Sequence, residues 1–153
     1  MPEYKTLLEQ WFNEVWHKGN ENAIDELMDK DAVIHGLETE ADLKGPDAFK
    51  PFYKKFRESF PVVEVEMDHL INTNEFEAAY CTVSGKNAEQ KNVQFNGIVI
   101  SKFKNGKLVE AWNAFDFLTM YKQLGLQLVA ENEEPKKPEE GYVVLESGLG
   151  IDE

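Results

Sequence analysis

Apolar residues recur at helical spacing over Leu7, Leu8, Trp11, Phe12, Val15 and Trp16, and Gly19 follows Lys18 as a natural stop. The pattern predicts an amphipathic first helix. Asn20 is placed to cap a second, short helix whose Ile24, Leu27 and Met28 share a face, and Asp31 to His35 reads as a brief strand. Gly45-Pro46-Asp47 opens a third helix, with proline where its missing N–H costs least. Phe49, Phe52, Tyr53, Phe56 and Phe60 line its buried face, and Pro61 lies just beyond it. After Pro61 the apolar period changes from 3.6 to 2, which predicts four strands over about 62–73, 76–87, 91–104 and 107–117. Asn72-Thr73-Asn74 and Asn105-Gly106 carry hairpin chemistry, because Asn and Gly tolerate the positive φ of tight antiparallel turns. A last short helix runs from Phe117 to Leu124 and ends at Gly125. Helices first and an antiparallel meander afterwards predict an α+β fold with the helices packed on one side of the sheet.

Composition narrows this to one core. At 153 residues, 42% hydrophobic and 12% aromatic, the chain carries too much large apolar surface for disorder and about enough for a single domain. The expected division is a folded domain over 1–130 and an acidic tail over 131–153, where Glu-Asn-Glu-Glu-Pro-Lys-Lys-Pro-Glu-Glu has the composition of a solvated linker. Tyr142 to Leu145 is an apolar island that would dock on the body or add an edge strand. The tail holds eight acids and two lysines, so it accounts for −6 of the net −13. That charge makes nucleic acid and anionic membrane poor partners, since both attract basic patches. A single cysteine, Cys81, excludes an intrachain disulfide framework and a cysteine-rich zinc site, and suits a reducing compartment. No stretch approaches the roughly 18 apolar residues of a membrane helix, and no basic-then-apolar leader opens the chain. The expected location is cytoplasmic.

Three stretches share an order and spacing with a known family: Phe12-Asn13-Glu14-Val15-Trp16-His17-Lys18-Gly19-Asn20, Gly45-Pro46-Asp47-Ala48-Phe49-Lys50 and Asn105-Gly106-Lys107-Leu108-Val109-Glu110-Ala111-Trp112-Asn113. With Asp116 and Gln123-Leu124-Gly125 they resemble the SnoaL-like polyketide cyclases over about residues 7 to 126. The resemblance implies the cone-shaped fold shared with nuclear transport factor two and ketosteroid isomerase, with helices against a strongly curved sheet that encloses a pocket. It also implies a homodimer assembled through the sheet. Strand 107–117 is compatible with that on its own, because Leu108, Trp112 and Ala114 alternate with Val109, Ala111, Phe115 and Phe117, and neither set reads as solvent-facing. In the family's cyclases an aspartate near the end of the last strand is the general acid/base of an aldol closure, and Asp116 matches its place. A carboxylate in an apolar cavity has its ionised form disfavoured, which moves its pKa toward working pH. The same position equally suits an N-cap for the helix that follows, and capping would lower the pKa instead.

His35 matches a family histidine that can face the cavity mouth, and as a residue it could also finish a strand against a backbone carbonyl. His69 shares parity with Val63, Val65, Met67 and Ile71, so it reads as a core histidine or a pocket group on an apolar face. Tyr80 and Asn96 are polar groups on strand faces that would orient a ligand, or ordinary strand residues; Trp112 would wall the cavity. His17 suits the end of the first helix. The three histidines show neither pairing nor metal spacing, and no phosphate-binding glycine loop is present, so the chemistry expected needs no metal and no organic cofactor. Two readings stand: an acid/base enzyme acting on a small hydrophobic or carbonyl-containing ligand, and a binding protein without chemistry.

Overall fold

The computed structural model describes residues 3–38 and 41–131 and the backbone of 143–144. Helix α1 (Leu7–Trp11) starts where Thr6 accepts the amide of Glu9 at 3.1 Å. The predicted helix then changes period: Phe12–His17 is a π-helical segment whose wider turn is closed by Lys18 N donating to Asn13 O and Asn20 N to Glu14 O, both at 2.9 Å. Helix α2 (Asn22–Leu27) has no side-chain cap, because the Asn20 amide donates to Glu14 Oε1 instead. Strand β1 (Met28–His35) is longer at its start than Asp31, and β2 (Leu43–Lys44) pairs antiparallel with it. Helix α3 (Gly45–Ser59) follows, with proline at its start as predicted. Strands β3 (Val62–Asn72), β4 (Phe76–Lys86), β5 (Asn92–Lys104) and β6 (Lys107–Phe115) form the meander, and α4 (Phe117–Gln123) closes the described body. Asn105 and Gly106 both take positive φ in the β5–β6 turn, as their chemistry requires.

The six strands run β2-β1-β6-β5-β4-β3 and are antiparallel except for the β1–β6 pair. The fold is therefore α+β, with helices packed on one face of a mixed, mainly antiparallel sheet. Its core lies on that inner face, where Val15, Ile24, Met28 and Cys81 are almost wholly buried.

Two bulges overturn the alternation expected from sequence. Between Met67 and His69 the β3–β4 register slips, so Val65 and Met67 oppose buried Val83 and Cys81 while His69 opposes Tyr80 and Ile71 opposes Ala78 on the outer face. Between Lys102 and Phe103 the β5–β6 register slips at Val109, which returns Leu108 to the inner face with Ala111 and leaves Trp112 outside. An extra residue in one strand inverts the parity of everything beyond it and bends the sheet, which contributes to its curvature. In the tail, Val143–Val144 (β8) pair in parallel with Leu128–Val129 (β7); Tyr142 and Leu145, the ends of the expected island, lie outside the described residues.

Candidate binding cavity

The inner face of the sheet and the helices do not meet completely, and a cavity of about 90 Å3 remains between them. Trp11 and Trp16 wall it from the first helical segment, Phe52 and Phe56 from α3, and Phe95 and Ala111 from the sheet. Trp16 meets Phe52 and Phe56 edge-on, with ring centroids 6.4 and 5.6 Å apart, so the helical wall is aromatic and interlocked. Polar side chains among the lining are Ser101, which is 1% exposed, and Asn113, whose amide donates to His35 O at 2.9 Å. No carboxylate or imidazole lines this cavity among the described residues.

A second hollow of about 190 Å3 shares Phe52 and Phe56 as walls and adds Glu38, Lys55, Ser59 and Tyr121. The Tyr121 hydroxyl donates to Glu38 Oε2. Desolvation raises the Glu38 pKa above the ordinary carboxylate range, against the pull of this hydrogen bond and of Lys55. Burial raises the Tyr121 hydroxyl as well, helped by the neighbouring carboxylate. Glu38 sits in the bend after β1, and Tyr121 lies on α4, the short helix expected before Gly125. The sequence reading singled out neither residue; Glu38 meets Tyr121 across 83 positions.

Asp116 has the surroundings of a helix cap. It is exposed, does not line the cavity, and caps α4: Oδ1 accepts the Thr119 amide at 3.0 Å and Oδ2 the Thr119 hydroxyl at 2.6 Å. Both bonds favour the ionised form and hold the carboxyl below its usual range. Its folded pKa is therefore below the unfolded one, so its contribution to stability is present above the unfolded pKa and is lost as pH falls through the folded value. Asp116→Ala is expected to cost about 1 kcal/mol in urea unfolding at neutral pH and almost nothing in strong acid, and Asp116→Asn less than Ala. A neutral-pH loss near zero would remove the capping role.

The other five candidates lie on the outer face, away from the cavity. His35 Nδ1 faces Asp42 Oδ2 and Nε2 faces Glu110 Oε2, each at 2.7 Å, and the ring stacks on Trp112 at 5.6 Å. The Glu110 hydrogen bond chiefly, with Asp42, raises its pKa despite partial desolvation, and the ring bridges β1 to β6 on the outer face instead of lining the cavity. His69 and Tyr80 have ring centroids 6.4 Å apart on the same outer surface, so His69 is not a core histidine. Asn96 donates to Thr82 Oγ1 at 2.9 Å and Cys81 O at 3.3 Å, and Trp112 is 38% exposed outside the sheet.

Three further groups are structural. His17 Nε2 accepts the Val65 amide at 2.9 Å, tying the π-helical segment to β3. Cys81 is fully buried and its thiol is pushed up to about 12, which leaves it no thiolate character. Glu77, 6% exposed, was not foreseen: its Oε2 accepts the Leu8 amide at 3.2 Å, in the first turn of α1, where a carboxylate is favoured. Among the described residues no group of three or more His, Cys, Asp or Glu could hold a metal ion, and no helix is long and apolar enough to cross a membrane.

Solved structures share this architecture. IdmH from Streptomyces antibioticus, provisionally assigned as a polyketide cyclase, is 21% identical and superimposes with a TM-score of 0.68 over 78% of this chain and 96% of its own. TsrD from Streptomyces laurentii is 16% identical, with a TM-score of 0.66 over 81% of this chain and 98% of its own. A Catenulispora acidiphila protein with a ketosteroid isomerase-like fold, solved with trimethylamine, gives 11% identity and a TM-score of 0.69 over 79% of this chain and 93% of its own. At these identities the likeness is one of fold. No curated protein matches the chain. The family model for SnoaL-like polyketide cyclases matches residues 6–124, most of the sequence and all of the elements that build the cavity, and the chain belongs to that family.

Proposed function

We propose that this protein encloses a small, mostly apolar carbonyl compound in the cavity between its helices and sheet, and acts on it by chemistry of the cyclase or isomerase type. The observation that carries the reading is the cavity itself: an aromatic-walled hollow of about 90 Å3, adjoined at Phe52 and Phe56 by a partly polar one. Such a pairing of an apolar chamber with a few polar groups at one end is what a small-molecule site requires. The size admits a ligand no larger than a single ring. A second reading, binding without chemistry, draws on the absence of a carboxylate or imidazole among the residues lining the apolar chamber. The chain is also proposed to work as a homodimer through the outer face of the sheet, where Tyr80, Ile98, Ile100 and Trp112 stand exposed.

Titration calorimetry with phenol tests the cavity. Ala111 lies on the inner face and Trp112 beside it on the outer. Ala111→Phe fills the chamber and is expected to weaken binding at least tenfold, at an overpacking cost of about 1–3 kcal/mol in stability. Trp112→Ala, on the opposite face of the same strand, should bind as the parent does. Equal binding by Ala111→Phe and the parent, or loss in Trp112→Ala alone, would place the ligand elsewhere.

A further inference from the structure

We infer that the cavity holds a single-ring compound carrying a hydroxyl beside its carbonyl, and that Ser101 receives this hydroxyl because the carboxylate of Glu77 stands behind it. The inference rests on the cavity reading above and names the ligand class and the corner that selects it. Register sets Glu77 of β4, Ser101 of β5 and Ala111 of β6 side by side in one row across the inner face of the sheet. All three are buried, and Ser101 and Ala111 line the cavity. Leu8, which also lines it, meets this row from α1 and donates its amide to Glu77 Oε2 at 3.2 Å. The other oxygen, Oε1, is buried and finds no donor among the described residues. Buried carboxylate oxygens are ordinarily hydrogen-bonded, so the wall beside Ser101 holds an acceptor that capping of the Leu8 amide leaves unused.

Directly opposed residues of an antiparallel pair have Cβ atoms about 5 Å apart, which puts a serine hydroxyl within a rotamer change of its neighbour's carboxylate. A hydroxyl gives one hydrogen and accepts through two lone pairs. With its hydrogen given to Glu77, the Ser101 oxygen is left as an acceptor, and the bond to a carboxylate strengthens it in that role. The corner therefore selects a donor: a ring hydroxyl is received, whereas a bare carbonyl oxygen meets only lone pairs. A hydroxyl also enters an apolar cavity uncharged, which an alkylammonium does not. Asn113 lines the cavity too, but its amide is committed to His35 O. The ring then lies over Ala111, in the same row, with its hydroxyl toward Ser101. Glu77 does not itself line the cavity; it acts through Ser101 as a positioning residue.

Titration calorimetry with phenol and with fluorobenzene, rings of nearly equal size that differ in the donor, tests the corner, with thermal melting confirming that each variant is folded. A hydroxyl gives up its water on entry, so a cavity without a free acceptor favours fluorobenzene. The parent should instead bind phenol about tenfold tighter or more, on the scale of one hydrogen bond backed by a charged group. Ser101→Ala should erase that preference. Glu77→Gln, whose amide oxygen still accepts from Leu8 and whose NH2 turns to Ser101, should reduce it about tenfold, because the serine hydroxyl no longer has a carboxylate to donate to. Fluorobenzene affinity should stay within a few-fold in both variants. A glutamate that only caps α1 would leave the ratio of the two affinities unmoved, so a ratio lost in Ser101→Ala but kept in Glu77→Gln overturns the part of Glu77. Ser101→Ala removes a single oxygen and decides the matter with the parent if Glu77→Gln does not fold. Equal binding of the two rings by the parent, or a phenol preference that survives both substitutions, overturns the corner and leaves the cavity standing. Failure of both rings to bind the parent overturns the cavity and the corner with it.

Discussion

Gly36→Ala is expected to destabilise the protein by about 3 kcal/mol, more than other single-methyl additions to its loops. Gly36 has φ +83°, a conformation that costs an L-residue about 1–2 kcal/mol. The added Cβ would also stand 2.0 Å from Asn113 O and 3.0 Å from its carbonyl carbon. These are main-chain atoms of a central strand, so no side-chain rotation relieves the overlap, and forced displacement in a packed interior adds about 1–3 kcal/mol. The position is held from both sides, because the Asn113 amide donates to His35 O. Urea unfolding measures the loss. The same displacement should spread to Leu37, which lines the cavity, and to Glu38, so ligand affinity should fall with stability. A loss below about 1 kcal/mol would mean that the bend relocates freely and does not position Glu38.

Ile100→Glu is expected to halve the mass of the protein in sedimentation at micromolar concentration. On the outer face, register places Ile71, Ala78, Ile100 and Trp112 in one row across four strands, and His69, Tyr80, Ile98 and Ala114 in the next. Ile98 is 48% and Ile100 42% exposed at the centre of this surface. A face-to-face pair of sheets would cover it, and in a two-fold dimer each substitution enters the interface twice. Two unpaired carboxylates there would each lose several kcal/mol of hydration, and every 1.4 kcal/mol is about tenfold in affinity. Melting of the isolated variant should change less than for a core substitution, since Ile100 is 42% exposed within one chain. A parent protein that sediments as a monomer would remove this interface.

Local information carried the elements far. Helix α3 with Pro46 at its start, the four strands after Pro61, the Asn105-Gly106 turn and α4 before Gly125 all lie where periodicity and turn chemistry place them, because these signals act over a few residues. The family resemblance in three separated stretches agrees with the match over 6–124. Position offered the capping role of Asp116 and the family resemblance set catalysis level with it; the third dimension places the carboxylate in solvent against Thr119, as a cap. The faces of His69 and Leu108 were likewise decided by bulges, since period-2 reasoning assumes an unbroken ladder and one unpaired residue inverts everything beyond it. The π-helical turn at Phe12–His17 escaped for a similar reason: its apolar positions satisfy a 3.6 period almost as well. Glu38 was invisible in sequence because its chemistry comes from burial and from a hydroxyl 83 positions away, and desolvation is a property of the packed chain rather than of any stretch of it.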